Sequence, residues 1–308
     1  MKPLVAKTLS AERRVLGEEN PSTLLTMSAL ANIYNHRGNY ERAESICARI
    51  VEIERRALGE EHPDTLSTMN NLAVASLYEG KYADAEAIAS RAMEIKRRVL
   101  GKDHPDTLSG VNLLAVIYRN EQKYDLAEPL LLDVIEAWRR VMGPESPYTI
   151  RSMHALAAVY HKEGKDQQAK ALIKETQELR RKVLGDNHPD TRTGMTLLAE
   201  IELAEQKFGD AALVLRQVID GYEKTSPETW EKSYGQTLLG ACLAELKKYA
   251  DAEPLLRSGY EGMRRQAAAI PSESRPLIAQ AGERIVQLYL TWDKPDLAAE
   301  WRQKLQNQ

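Results

Sequence analysis

Three histidines of this chain stand in the same short motif. His62, His104 and His188 each precede Pro-Asp-Thr. An imidazole beside a carboxylate is the pairing from which general acid–base catalysis or a metal site is built. The spacing argues against both. The histidines lie 42 and 84 residues apart, at one position of a repeating unit, so at least one whole unit separates any two of them. His154 and His161 are seven residues apart on one helix, about 10 Å along its axis, too far to share a zinc ion. The sequence has no phosphate loop, dinucleotide fingerprint, zinc-protease helix or nucleophile elbow. No catalytic, cofactor-binding or metal-ligating residue is therefore assigned, and a non-enzymatic chain without a cofactor is expected.

The chemistry that remains is recognition. One helix register carries Ser28, Asn70, Asn112, His154, Thr196 and Thr237. Beside it run Asn32, Val74, Val116, Ala158, Glu200 and Ala241, and then Asn35, Leu77, Arg119, His161, Leu203 and Ala244. A carboxamide both accepts and donates, as a peptide backbone requires. Arg119, Arg151, His154, His161 and Lys162 add a basic group to a chain of net charge −3. Two readings of that group stand: a solvated face whose charges pair with neighbouring Glu, or a groove for an acidic ligand. The candidate peptide-binding residues are Asn32, Asn35, Asn70, Asn112, Arg119, Arg151, His154, His161 and Lys162. The basic members are taken as exposed charges, whose removal costs little stability. The pairs Glu18-Glu19 and Glu60-Glu61 read as solvated loop.

The elements that position these residues follow from a strict internal period. Arg55–Thr68 reads RRALGEEHPDTLST, and 42 residues later Arg97–Gly110 reads RRVLGKDHPDTLSG. Leu16-Gly17, Leu58-Gly59, Leu100-Gly101, Met142-Gly143 and Leu184-Gly185 share that register. Pro21, Pro63, Pro105, Pro147 and Pro189 suit the first turn of a helix, where the missing N–H costs nothing. Asn20, His62, His104, Ser146 and His188 then fall at the N-cap, with His the weaker cap of the three types. This helix A ends near Gly38, Gly80 and Gly164, which favour the left-handed conformation after a helix. Helix B opens at Tyr82-Ala83-Asp84-Ala85-Glu86 and closes at Leu100-Gly101. Small residues fill the positions of closest approach: Ala31, Ala73, Ala115, Ala157 and Ala199 on helix A, and Ala43, Ala85, Ala127, Ala169 and Ala211 on helix B. Cys47 and Cys242 replace apolar residues in two packing columns and read as buried thiols rather than a disulfide.

This pattern resembles the tetratricopeptide repeat. The 42-residue unit, with its longer helix B and its Leu-Gly-x-x-His-Pro-Asp-Thr connection, is similar to the repeats of kinesin light chains and related bacterial proteins. The likeness is close over residues 1–225 and loose beyond. It implies an all-α, right-handed superhelical solenoid of antiparallel helix pairs, about fifteen helices, binding a protein or peptide partner on its concave helix A surface. Asn70-Asn71-Leu72-Ala73 resembles the Asn-Asn-Leu-Ala of kinesin light chains, whose groove takes short peptides.

The expected organisation is one array over residues 1–308: a truncated helix B (1–17), five repeats (18–225), a divergent repeat starting at Ser226-Pro227-Glu228-Thr229 (226–268), and a C-terminal capping repeat (269–308). Beginning inside a unit suggests residues upstream in a longer chain. The C-terminal stretch, with Leu256–Met263, Arg284–Tyr289 and Lys294–Trp301, resembles the repeat-bearing tail of bacterial serine/threonine protein kinases. That likeness implies, as an alternative, the regulatory region of such an enzyme. The net charge speaks against a general nucleic-acid binder. No apolar run is long enough to span a membrane, and a cytoplasmic location is expected, or the far side of a membrane if the parent is a membrane-anchored kinase.

Overall fold

The computed structural model describes residues 2–307. Fifteen α-helices run through them, with no strand. In chain order they are α1 Lys2–Val15, α2 Pro21–His36, α3 Tyr40–Ala57, α4 Pro63–Glu79, α5 Tyr82–Leu100, α6 Pro105–Asn120, α7 Tyr124–Met142, α8 Pro147–Lys162, α9 Asp166–Leu184, α10 Pro189–Ala204, α11 Phe208–Thr225, α12 Trp230–Glu245, α13 Tyr249–Arg265, α14 Pro276–Thr291 and α15 Pro295–Gln306. Two 3-10 turns, Ala267–Ala269 and Ser272–Ser274, precede α14. The helices fall into two compact units. Unit 1 holds the chain through Val141 together with Pro271–Glu273, and unit 2 holds Met142–Ile270 and the residues from Ser274 onward.

The corner from helix B into the next helix A is built from three local devices. Gly101 takes φ 91°, ψ 164° and Gly185 takes φ 83°, ψ 167°, a region that only glycine occupies without strain. The glycine carbonyl then accepts from a threonine hydroxyl six residues on: Thr23 to Gly17 at 2.8 Å, Thr65 to Gly59 at 2.9 Å, Thr149 to Gly143 at 2.8 Å and Thr191 to Gly185 at 2.9 Å. Finally, the residue before the proline caps the helix. Asn20 Oδ1 and Ser146 Oγ accept from backbone N–H groups at 3.0 and 3.3 Å. Nδ1 of His62, His104 and His188 does the same at 3.3, 3.2 and 3.2 Å. The motif histidines are thus helix caps.

The far end of each helix A is as regular. Gly38, Gly80 and Gly164 sit at φ 71°, 92° and 75°. The same bend falls on Gln122, Gln206, Lys247 and Asp293 at φ 62°, 60°, 60° and 56°, where a side chain makes the left-handed conformation costly. One sequence expectation shifts here. Ser226-Pro227-Glu228 does not open the divergent repeat's helix, because Thr229 is the cap and its Oγ1 accepts from Lys232 N at 3.4 Å. That leaves Pro227 outside the helix.

Both alanine columns are buried, at 0–1 % exposure from Ala31 to Ala199 and 0 % from Ala43 to Ala211, so paired backbones approach closely. Leu30, Leu114 and Leu156 are buried beside them, while Leu72 and Leu198 are half-buried. In unit 1 the interior is Met27, Ile50 and Ile53, then Leu66, Met69 and Ile95, then Leu77 and Ile117. In unit 2 it gathers larger groups, with Tyr260, Tyr289 and Trp301 around Leu256 and Ile285. Cys47 and Cys242 are 1 % and 0 % exposed, and burial pushes their thiols up to about 11 and about 12.

Two predictions follow from this geometry. Gln122→Gly and Gln206→Gly each raise stability by about 0.5–1 kcal/mol, the left-handed penalty less the entropy glycine adds to the unfolded chain; urea titration checks this, and a loss of stability in both contradicts the helix-end account. Native protein at pH 8 resists thiol labelling at both cysteines until it is unfolded, because both are buried and protonated; fast native labelling of either contradicts their placement.

Candidate ligand-binding surface

In unit 1 the helices α2, α4 and α6 carry the carboxamide residues. Asn32 is exposed, and Asn35, Asn70 and Asn112 are half-buried. Arg119, near the end of α6, is not the exposed charge expected from sequence. It is half-buried and donates to Asn120 Oδ1 through Nη2 at 3.0 Å and Nε at 3.3 Å. Burial lowers its pKa, while the charges of Glu273, Tyr78 and Tyr124 act against that shift.

In unit 2, α8 presents the other four candidates. Arg151 is exposed and lies over the Tyr148 ring at 5.8 Å, a cation–π contact. His154 is half-buried, its Nδ1 3.4 Å from Arg180 Nη1. His161 Nδ1 lies 2.7 Å from Asp166 Oδ1. Lys162 is exposed. Arg151 and Lys162 form no ion pair among the described residues.

Other exposed cations of the repeats, Arg97, Lys102 and Lys174 among them, also form no ion pair among the described residues, while a recurring set is tied to carboxylates. Glu18 binds Arg13 and Arg49, each at 3.0 Å, and Glu60 binds Arg55 at 3.0 Å and Arg91 at 2.9 Å. These arginines hold Glu18 and Glu60 below the usual carboxylate range. Glu19 pairs with Arg56 and Glu61 with Arg98. Half-buried Glu18 and Glu60 therefore anchor successive repeats, where sequence had suggested plain solvated loop, while Glu19 and Glu61 are solvent-exposed as expected. The same rung recurs as Asp103–Arg140 at 2.6 Å and as Glu145–Lys182. A second rung joins Glu44 to Lys81 at 2.5 Å and Glu86 to Lys123 at 2.7 Å. In unit 2, hydrogen bonds from Lys170 and Lys207 hold the Glu205 carboxyl down to about 2.

Sequence reasoning missed one column altogether. Glu54, Lys96, Trp138, Arg180 and Tyr222 share a register on helix B, and all five are buried. Arg180, 4 % exposed, donates to Asp190 O at 2.7 Å, and burial lowers its pKa with the Arg151 charge adding to the effect. Gly194 makes room for it: a Cβ there would stand 2.6 Å from Arg180 Nη1 and 2.1 Å from Gln177 Nε2. Arg192, 2 % exposed, stacks on Tyr222 at 4.5 Å under Gly221. The available signal was the glycine at 194, at a register that carries Thr68, Gly110 and Ser152 in the preceding repeats.

A tetratricopeptide-repeat family model matches residues 22–97, 106–182 and 156–224, well over half of the chain. The chain belongs to the tetratricopeptide repeat family. Among solved structures, the nearly identical TPR-like repeats of an assigned kinesin light chain from Podosopora anserina are similar at 27 % identity and TM-score 0.53, covering 67 % of this chain and 98 % of that one. The quorum sensor NprR of B. thuringiensis, in its apo form, matches at 13 % identity and TM-score 0.71, over 99 % and 82 % of the two chains. The Rap conjugation gene regulator of plasmid pLS20, in complex with the Phr* peptide, matches at 10 % identity and TM-score 0.68, over 92 % and 74 %. No curated protein matches the sequence. In this tetratricopeptide chain no helix is long and apolar enough to cross a membrane. The described residues hold no group of three or more His, Cys, Asp or Glu able to bind a metal ion.

The buried column yields its own prediction. Lys96 is 4 % exposed with no ion pair among the described residues, and burial lowers its pKa below 10.5. A folded-state pKa below the unfolded one penalises the native state at neutral pH, and the penalty fades as pH rises through the ordinary lysine range. Lys96→Met should therefore stabilise the chain by about 1 kcal/mol at pH 7, with the gain shrinking by pH 10.5. Urea midpoints at the two pH values test this, and a gain that grows with pH contradicts it.

Proposed function

We propose that this tetratricopeptide array is a binding scaffold that captures an acidic peptide or protein segment on the faces of its A helices. The observation that carries the reading is the pair of exposed cations on α8. Arg151 and Lys162 face solvent from one helix without a carboxylate partner among the described residues, and His154 and His161 stand on the same helix. Rungs neutralise charge that serves the frame, so an unpaired cation is free to recruit a ligand. His154 lies beside this pair on α8, with Arg180 behind it. Screened charges of this kind govern association rate and specificity more than raw affinity. In unit 1 the carboxamides Asn32, Asn35, Asn70 and Asn112 supply the complementary chemistry for a peptide backbone, and Arg119 supplies a desolvated cation. The Rap regulator, solved with a bound peptide, supports peptide capture as a use of this fold.

The double change Arg151→Ala with Lys162→Ala should weaken an acidic peptide about tenfold and flatten its salt dependence, since these charges are screened over about 8 Å at physiological salt. The unfolding midpoint should stay in place, because exposed charges contribute little to stability. Arg119→Ala differs: it should weaken binding and also cost stability, since it strips a half-buried group from Asn120. Anisotropy titrations at two salt concentrations measure both. An affinity indifferent to these changes, but abolished by substitutions on the outward faces of the B helices, overturns the reading.

A further inference from the structure

The corner between α5 and α6 departs from its four counterparts. Thr107 stands at the register of Thr23, Thr65, Thr149 and Thr191 and is 1 % exposed, yet its Oγ1 has no hydrogen-bond partner among the described residues. The same side chain lines a cleft of about 370 Å³ in unit 1, within the range of small-ligand sites. The floor is apolar, with Leu108 and Val111 from α6 and Leu130, Val134 and Ala137 from α7. The rim is charged, and its two signs are separated. Arg97 on the last turn of α5 and Lys102 in the corner stand with the Asp103–Arg140 ion pair. Asp133 and Glu136 line the cleft from α7, seven and four residues before Arg140, which is about 10 and 6 Å along the helix axis. Arg97, Lys102, Asp133 and Glu136 are exposed and form no ion pair among the described residues. The groove one repeat earlier differs, because its Glu52, Arg55 and Arg56 are tied to Arg49, Glu60 and Glu19.

We propose that this cleft is a second binding site, for a short zwitterionic peptide of about three apolar residues. Its carboxylate lies toward Arg97 and Lys102 and its ammonium toward Asp133 and Glu136. Length, surface and polarity all fit. An extended tripeptide spans at most about 10 Å, the axial distance from the cationic end of the rim to its acids. Apolar side chains laid on the floor take both surfaces out of water. The unbonded Thr107 hydroxyl costs free energy that a ligand carbonyl or N–H recovers. Threonine divides between two χ1 rotamers in a helix, so a single turn carries that hydroxyl toward the cleft. A purely acidic segment would meet Asp133 and Glu136 at one end, so this cleft rejects the ligand proposed for α8. The two sites are chemically distinct.

The test is calorimetric titration of the full chain with Leu-Ala-Leu, its N-acetyl form and its C-terminal amide. The free zwitterion should bind, and either cap should weaken it by about tenfold, the scale of one charged contact. Arg97→Ala with Lys102→Ala should weaken the zwitterion and erase the difference between acid and amide. Asp133→Asn with Glu136→Gln should erase the difference made by acetylation. Thr107→Val should weaken binding by about threefold without lowering the urea midpoint, whereas Thr65→Val, which loses a bond to Gly59, should lower it. Arg151→Ala with Lys162→Ala should leave the tripeptide's affinity unchanged, so the two binding readings fail separately. The cleft assignment is overturned if Leu-Ala-Leu gives no saturable heat at millimolar concentration, or if the capped forms bind as tightly as the free one. It is equally overturned if the rim variants change nothing, if Thr107→Val costs as much stability as Thr65→Val, or if the α8 double variant weakens the tripeptide.

Discussion

A threonine hydroxyl donating to the glycine carbonyl six residues before it fixes four of the corners between regular repeats; at the Gly101 corner Thr107 Oγ1 is buried without a hydrogen bond among the described residues. Glycine turns the chain out of helix B through a conformation closed to other residues, and the threonine locks the turn from the other side. Proline then starts helix A, with the cap side chain satisfying an N–H that would otherwise be orphaned. Because entry and exit directions are set locally, each helix A meets its neighbours with alanine against backbone. Where the corner is lost, the packing changes character. Beyond α11 the contacts rely on glycine itself, with a Cβ on Gly240 falling 2.6 Å from Leu256 Cγ and one on Gly259 falling 2.6 Å from Ser233 O. Bulky aromatics fill what remains.

The ion-pair rungs work on a smaller energy scale. Exposed pairs of this sort contribute about 0.2–1 kcal/mol each and weaken with salt, so they do not hold the repeats together against unfolding. Their value lies in register. Glu60 is shared between Arg55 of the preceding helix B and Arg91 of the following one, so a slip of either helix breaks a contact that the correct stacking satisfies. A misplaced repeat would leave like charges facing each other, a cost comparable in size to the gain.

The helical frame was legible because it rests on local rules repeated at a strict period. Pro63, His62, Gly80 and Ala73 each have one structural use, and the sequence places them together several times. The two buried thiols were legible for the same reason, since Cys47 and Cys242 stand in columns otherwise filled by apolar side chains. The site was less legible because it depends on side-chain environment. Arg119 and Lys162 look alike in sequence, yet one is half-buried against Asn120 and the other is solvent-facing. Arg180 was invisible because its burial depends on Gly194, which lies on a different helix. The acids at 18 and 60 read as solvated because their partners, Arg49 and Arg91, lie 31 residues ahead of them, beyond any pattern of helix neighbours.

Variation confined to a few columns has a consequence for recognition. If every repeat presented the same face, a peptide would bind equally well in registers one repeat apart, and the array would gain avidity without selecting a sequence. Here the polar register changes from Asn70 and Asn112 to His154 and Thr196, and the buried helix B register changes from Glu54 through Lys96 and Trp138 to Arg180 and Tyr222. The second set matters although a ligand does not touch it. A buried cation at 180 raises the positive potential under His154 and Arg151, whereas a buried carboxylate at 54 does the opposite in its own repeat. Specificity is a difference between affinities for right and wrong partners, and in the proposed binding role residues inside the frame would set it as well as those on its face. Glu54 and Arg180 are not interchangeable, because Arg180 fits where Gly194 leaves space whereas Thr68 stands at that register beside Glu54.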